Sequence, residues 1–273
     1  MKKVLLVDND RIALGIVTKL LEKEGHQVLT SRDGLGALDI LKTYTPDVIF
    51  VDLVMPHIDG ETLCRTIRSI ERFKDVYLVI LSAVAAEKEI ALKPLGANAC
   101  VAKGPFEEMS RHILNIMAQP ILDSSQILSE AVFGIESIHP RGITSELLSA
   151  KRHFEIILDK MTEGILEINS EGRIVYVNPF ARSLIDIPEN KLLGSHFSEI
   201  FSGDARQRVF DLLKLNAGEP KTITDDTPVS LNEYQLTLDV LTLDENGLSS
   251  IIILNDVSDR KRMEFQLMQD NNR

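Results

Sequence analysis

The stretch VIFVDLVMPHIDG, residues 48–60, begins with an apolar run, Val48 to Val51, rich in β-branched side chains, and breaks it with an acid, Asp52. A short continuous apolar run of this composition reads as a strand buried on both faces, as in a parallel sheet covered by helices. A carboxylate is costly to bury unless it is paired or holds a metal, and such sheets bind their ligands beyond the carboxyl ends of the strands. Asp52 therefore reads as a site residue at a strand end.

Working outward, KVLLV (3–7), VYLVIL (76–81) and ACVA (99–102) are runs of the same kind, and HQVLT (26–30) is a weaker one. Helical periodicity fills the gaps, over Ile12 to Glu24, Leu35 to Tyr44, Gly60 to Ile70, Glu87 to Leu95 and Phe106 to Met117. This βα alternation predicts an α/β doubly wound, parallel five-stranded sheet. Just past the runs stand Asp8-Asn9-Asp10, Asp52, Ser82 and Lys103. Carboxylate oxygens suit Mg²⁺, and a carboxylate can attack phosphorus to give an acyl phosphate. A hydroxyl and an ammonium beside it can hold phosphoryl oxygens. Singly, Ser82 reads as a helix cap, Lys103 as a solvated cation and Asp8 as the end of a strand. Their recurrence at four strand ends favours one shared site.

With these residues in place, Met1 to about Ala118 resembles a response-regulator receiver domain. The pattern is carried by VDND, DLVMPHIDG, LSA and VAK. The resemblance implies that Asp52 is the phosphoacceptor, that Asp8, Asn9 and Asp52 hold Mg²⁺, and that Ser82 and Lys103 bind the phosphoryl group. It also implies a histidine kinase or phosphotransfer protein as partner. Three positions depart from the family pattern. Asn9 replaces the second acid of the pair, which removes a negative charge and predicts weaker Mg²⁺ binding. Cys100 stands where the family has an aromatic switch residue and reads as a small core hydrophobe. Gly104 separates Lys103 from Pro105. Two other readings compete. Asp8-Asn9-Asp10 is also an Asp-x-Asp after a first strand, as in haloacid-dehalogenase-like phosphatases with Asp8 as nucleophile. Asn9 and Cys100 would also suit a pseudo-receiver that serves only in assembly.

Residues 119–150 read as a helical linker. DSSQILSEAVFGIESIHPRG (123–142) predicts a short helix, and a second begins near Thr144 or Ser145. Ile143, Leu147, Ala150, Phe154, Ile157 and Met161 form a heptad-spaced stripe. It is either a dimer seam or the packed face of an ordinary amphipathic helix.

From 151 to 258 the plan changes. GILEIN and RIVYVN alternate around Ser170-Glu171-Gly172, a hairpin signal, and Asn178-Pro179 starts a run of short helices reaching Leu215. KTITDDTPVS, EYQLTLDVLTL and LSSIIILNDV then read as three strands, giving an α+β domain with an antiparallel sheet. Together with VNPFA and DVSDRKRMEFQL, this segment resembles a PAS domain, followed by a C-terminal signalling helix over 259–273. The segment contains no cysteine for flavin photochemistry. His196 reads as a surface or capping residue rather than a haem ligand, so neither haem nor flavin is expected. His153 reads as a solvated residue. A seam through the linker stripe and through Met263 and Leu267 predicts a homodimer.

Composition limits the alternatives. A net charge of -11 argues against direct nucleic-acid binding. The two cysteines, Cys64 and Cys100, form no CxxC pair and suit a reducing cytoplasm. The N-terminal apolar run is too short for a signal peptide, and no segment approaches the ~18 apolar residues of a membrane span.

Overall fold

The apolar runs of the first half pair side by side because each needs cover on both faces and hydrogen-bond partners on both edges. The computed structural model describes residues 1–83, 92–118, 131–134, 142–214, 221–242 and 249–271. The chain divides into two units, Met1–Arg152 and His153–Arg273.

In the first unit, β1 (Lys3–Val7), β2 (Gln27–Ser31), β3 (Val48–Val51), β4 (Tyr77–Ser82), β5 (Ala99–Ala102) and β6 (Ala131–Phe133) form one sheet in the order β2-β1-β3-β4-β5-β6. All its pairings are parallel. Helices α1 (Arg11–Lys23), α2 (Gly34–Thr43), α3 (Gly60–Ser69), α4 (Leu92–Leu95) and α5 (Phe106–Ala118) connect the strands. The helix expected from Glu87 is described only from Leu92, and its earlier part lies outside the described residues. One core joins Val4, Leu6, Phe50 and Val101 of the sheet to Val17 and Ile113 of the helices. HQVLT is the weakest strand signal because β2 lies at the sheet edge and keeps much of its surface exposed.

The sheet has six strands rather than the expected five. Ala131–Phe133, placed by the sequence in a short linker helix, instead pairs in parallel with β5, Cys100 opposite Val132. An open edge exposes unpaired backbone groups, and a β-branched and aromatic segment suits that edge better than a helix. Phe133 also stacks on His112 with ring centroids 5.3 Å apart. The second linker helix is present as α6 (Gly142–Lys160) and runs past the boundary between the units.

The second unit is an antiparallel sheet in the order β10-β11-β12-β7-β8, built from β7 (Gly164–Asn169), β8 (Ile174–Val177), β10 (Val229–Leu231), β11 (Tyr234–Thr242) and β12 (Ser249–Asp256). The segment KTITDDTPVS is not one strand. It forms β9 (Thr222–Ile223) and β10, both paired with β11, with Asp225 to Pro228 between them. Proline has no N–H for the ladder, and acidic residues favour turns. The helices are α7 (Pro179–Ile185), α8 (Glu189–Leu192), a 3-10 turn over Phe197–Ile200, α9 (Gly203–Leu213) and α10 (Ser258–Asn271). The hairpin expected at 170–172 is present, with Gly172 at φ 73°. The connection expected at 244–247 lies outside the described residues. No helix among the described residues is long and apolar enough to cross a membrane.

Candidate functional site

Three strands of the parallel sheet each deliver one polar residue just past their carboxyl end, and β4 closes on Ser82. The backbone ladder fixes their height: Asp8 N–H donates to Ser31 O, Asp52 N–H to Val7 O, and Lys103 N–H to Ser82 O. Asp8, Asp52 and Ser82 are buried, at 1%, 5% and 0% exposure. The Lys103 ammonium lies 2.7 Å from Asp8 Oδ2 and 2.9 Å from Asp52 Oδ2. Asn9 is exposed beside Asp8. Asp10, the third acid-or-amide of the cluster, is used otherwise: it caps α1, accepting from Ile12 and Ala13 N–H, and its own N–H donates to Asp8 Oδ1. That cap explains why α1 begins at Arg11.

Burial raises the Asp52 carboxyl above its ordinary pKa, with Asp8 adding to the rise and Lys103 opposing it. Burial also pulls the Lys103 ammonium down, but the Asp52 and Asp8 carboxylates outweigh it and the net shift is upward. The two acids thus share one cation, a charge balance poised to accept more positive charge. Asp8 Oδ2 is buried with no aligned hydrogen bond, although Lys103 sits within ion-pair distance. An oxygen left in that state, beside a second carboxylate and the Asn9 amide, fits a hard divalent cation that prefers oxygen ligands. Among the described residues no three His, Cys, Asp or Glu side chains are grouped as a metal site, and the residue between Asp8 and Asp10 is the amide Asn9.

Gly60 holds α3 against this site. A Cβ there would lie 2.1 Å from Asp52 O and 2.7 Å from Leu53 Cα, so only glycine lets the helix start this close to the Asp52 backbone. Asp59 caps the helix by accepting from Thr62 N–H at 2.8 Å. Cys100 is fully buried on β5, and burial pushes its thiol up to about 12, as it does for Cys64.

The second unit buries a different polar group. Asn178, at 0% exposure, accepts from Ile165 and Ala181 N–H and donates to Leu158 and Glu163 carbonyls. It therefore caps α7, with Pro179 in the first turn, and ties β7 to the end of α6. The sequence marked Asn178-Pro179 only as a helix start; its reach to Leu158 has no signal in local pattern. His196 caps the 3-10 turn, its Nδ1 accepting from Ser198 N–H, and its ring faces Gly172. Ser258 N–H and hydroxyl both donate to Asp256, and Ser258 Oγ accepts from Gln235 N–H, which fixes the start of α10 on the sheet. His153 is exposed on α6.

A buried pair of carboxylates sharing one lysine thus stands at the carboxyl edge of the parallel sheet. Residues 4–113 match the response regulator receiver domain family, and residues 158–262 match the PAS fold. The chain belongs to the receiver-domain family through its first part and carries a PAS domain in its second. Solved structures similar to the first part include the receiver domain of a Francisella response regulator, at 28% identity over 43% of this chain and 94% of that one, TM-score 0.38. A chemotaxis response regulator of Vibrio cholerae is 29% identical over 45% of this chain and 99% of that one, TM-score 0.40. The receiver domain of a Pseudomonas aeruginosa sensor histidine kinase, described with a magnesium ion coordinated in its active-site cleft, is 27% identical over 44% of this chain and 97% of that one, TM-score 0.40.

Proposed function

We propose that this two-component signalling protein accepts a phosphoryl group on Asp52 and passes the change through α6 to its PAS domain. The observation that carries the reading is the sharing of the Lys103 ammonium by Asp8 and Asp52 at the strand ends. In the reaction an Asp52 oxygen attacks the phosphorus of a phosphohistidine. The P–N bond breaks, the imidazole leaves with the electron pair and takes up a proton, and an aspartyl phosphate forms. Lys103 is placed to neutralise charge on the transferred oxygens, and Ser82 stands at the neighbouring strand end as a hydrogen-bond partner for them. Asp8, Asn9 and Asp52 would hold Mg²⁺, which when bound offsets the charge of the phosphoryl group against the carboxylates.

The kinase activity comes from a partner, a histidine kinase or phosphotransfer protein, and the setting is the cytoplasm. No direct contact with nucleic acid is invoked. Ala150, Phe154 and Ile157 of the α6 stripe are exposed, as are Met263 and Leu267 of α10. Exposed apolar side chains at this spacing support a homodimer through the two helices. The PAS domain serves as the relay, with no haem or flavin required. Ile143 and Leu147 of the stripe have side chains outside the described residues.

The test is incubation with Mg²⁺ and acetyl phosphate, followed by mapping of acid-labile phosphate. Label on Asp52 that disappears in Asp52→Asn supports the reading. Label on Asp8 supports the phosphatase reading instead, and no label with full folding supports a pseudo-receiver.

A further inference from the structure

The clearest connection between the candidate site and the rest of the chain runs through Asp59. Its carboxylate, 18% exposed, forms an ion pair and hydrogen bond with the Lys151 ammonium on α6. The same carboxylate caps α3 through Thr62 N–H. Burial alone would raise the Asp59 pKa, yet Lys151 and Thr62 hold it below the ordinary carboxylate value, so the carboxylate is ionised where Lys151 meets it. One residue on, Gly60 rests on the Asp52 carbonyl with no room for even a methyl group, and Gly60 N–H donates to Leu53 O. Asp52, Leu53, Gly60, Asp59 and Lys151 are therefore one unbroken series of contacts from the strand end to the helix.

Seven residues beyond Lys151, the Leu158 carbonyl of α6 accepts from the Asn178 side chain of the second unit. A helix of that length spans two turns, about 10 Å at 1.5 Å per residue. α6 is thus held once within each unit, by Asp59 before the boundary at residues 152 and 153 and by Asn178 after it. The second grip is one partly buried neutral hydrogen bond, made by an asparagine that is itself fully buried. The first is an ion pair with a half-exposed lysine, the weaker kind and the kind that can exchange.

We propose that Asp59 and Lys151 form a releasable clasp, through which a phosphoryl group on Asp52 controls how firmly α6 is held. This rests on the phosphoacceptor reading of Asp52. A phosphoryl group adds about -1.5 to -2 charges and three oxygens beside carboxylates that already share one cation. The Asp52 backbone must adjust to admit it, and because the first turn of α3 is in contact with that backbone, the adjustment reaches Asp59. Packed elements move between discrete arrangements rather than stretching, so the ion pair is released instead of deformed. Asp59 and Lys151 are positioning residues: neither touches the transferred group. In the sequence Asp59 appears only within the DLVMPHIDG motif, and no local pattern brings it together with Lys151.

The test is hydrogen exchange of the full chain, followed by mass spectrometry of peptides covering 150–160 and 48–62, with and without Mg²⁺ and beryllofluoride. Two variants are compared: Asp59→Asn, which keeps a capping side chain but removes the charge, and Lys151→Gln. In resting protein each variant is expected to raise exchange over 150–160 about threefold, the scale of a partly exposed ion pair. Unchanged exchange overturns the clasp, whatever beryllofluoride does. With Mg²⁺ and beryllofluoride the unmodified protein is expected to reach the level of the variants, and the variants to stay there. Protection at 48–62 with no change at 150–160 overturns the coupling and leaves the phosphoacceptor reading standing. No protection at 48–62 overturns that reading and the coupling with it.

Discussion

Each half of the molecule buries a polar centre, and the two are finished in opposite ways. Asn178 in the second unit uses its oxygen and its amide nitrogen for four hydrogen bonds inside the fold. Asp8 and Asp52 in the first unit compete for one ammonium and leave Asp8 Oδ2 without an aligned hydrogen bond. Buried polar groups are normally satisfied because an unpaired one costs about 1–3 kcal/mol. A group held short of satisfaction is therefore a place where stability has been given up for binding. The fully satisfied asparagine is architecture; the pair of acids, with Asp8 Oδ2 lacking an aligned hydrogen bond, is the candidate site.

This contrast can be broken most decisively at Asp52. Replacing it with asparagine should remove all acid-labile phosphate after acetyl phosphate treatment while far-UV circular dichroism stays unchanged. Retained label would show that Asp52 is not the acceptor. The architectural side is tested at Asn178. Asn178→Ala removes a helix cap and strands two buried N–H groups and two carbonyls, so the second unit should lose about 3 kcal/mol in denaturant unfolding. A loss below about 0.5 kcal/mol, the level of ordinary surface substitutions, would place this centre outside the architecture.

Asn9 sharpens the site side. Asn9→Asp restores a negative charge beside Asp8 and should tighten Mg²⁺ binding about tenfold, measured by fluorescence or calorimetric titration. Equal affinity would exclude Asn9 from the metal shell. The smallest effect concerns pH. The Asp52 pKa is raised in the folded protein, so its ionisation costs stability as pH rises through that value; at lower pH, where it is protonated, nothing is lost. Asp52→Asn should therefore raise the unfolding midpoint modestly at pH 7 and lose that advantage under acid. Asp59 has the opposite sign: its pKa is lowered, so its contribution is present at neutral pH and lost as pH falls through the folded value. Asp59→Asn should lower the midpoint at pH 7 and converge with the parent protein under acid. A shared sign for both variants would undo the comparison.

Much of the candidate site was legible in advance because strand ends are local features. An apolar run of four or five residues announces where it stops, and a parallel sheet places all its carboxyl ends on one edge. Asp8, Asp52, Ser82 and Lys103 could therefore be placed at one sheet edge from the sequence alone. The capping role of Asp10 was missed, since Asp10 was read only as part of the Asp8-Asn9-Asp10 cluster, although an acid before a periodic apolar stretch is a local signal of a helix start. Two expectations were incomplete for a common reason. Ala131–Phe133 was assigned to a helix and KTITDDTPVS to a single strand, although pairing with β5 and β11 decides both. Short segments carry little intrinsic preference, and the edge that receives them sets their form.

The sequence by itself determined the alternation of strand and helix in the first half, the change to hairpins in the second, and which residues stand at the mouth of the parallel sheet. These depend on periods of two and 3.6 residues and on chain ends, all visible within a few positions. Tertiary structure alone decided that Gly60 lies on the Asp52 carbonyl, that Asn178 reaches back twenty residues to Leu158, and that Asp59 meets Lys151 across ninety-two. Such contacts join residues far apart in the chain, and their formation depends on how whole elements pack, a property that no local window contains.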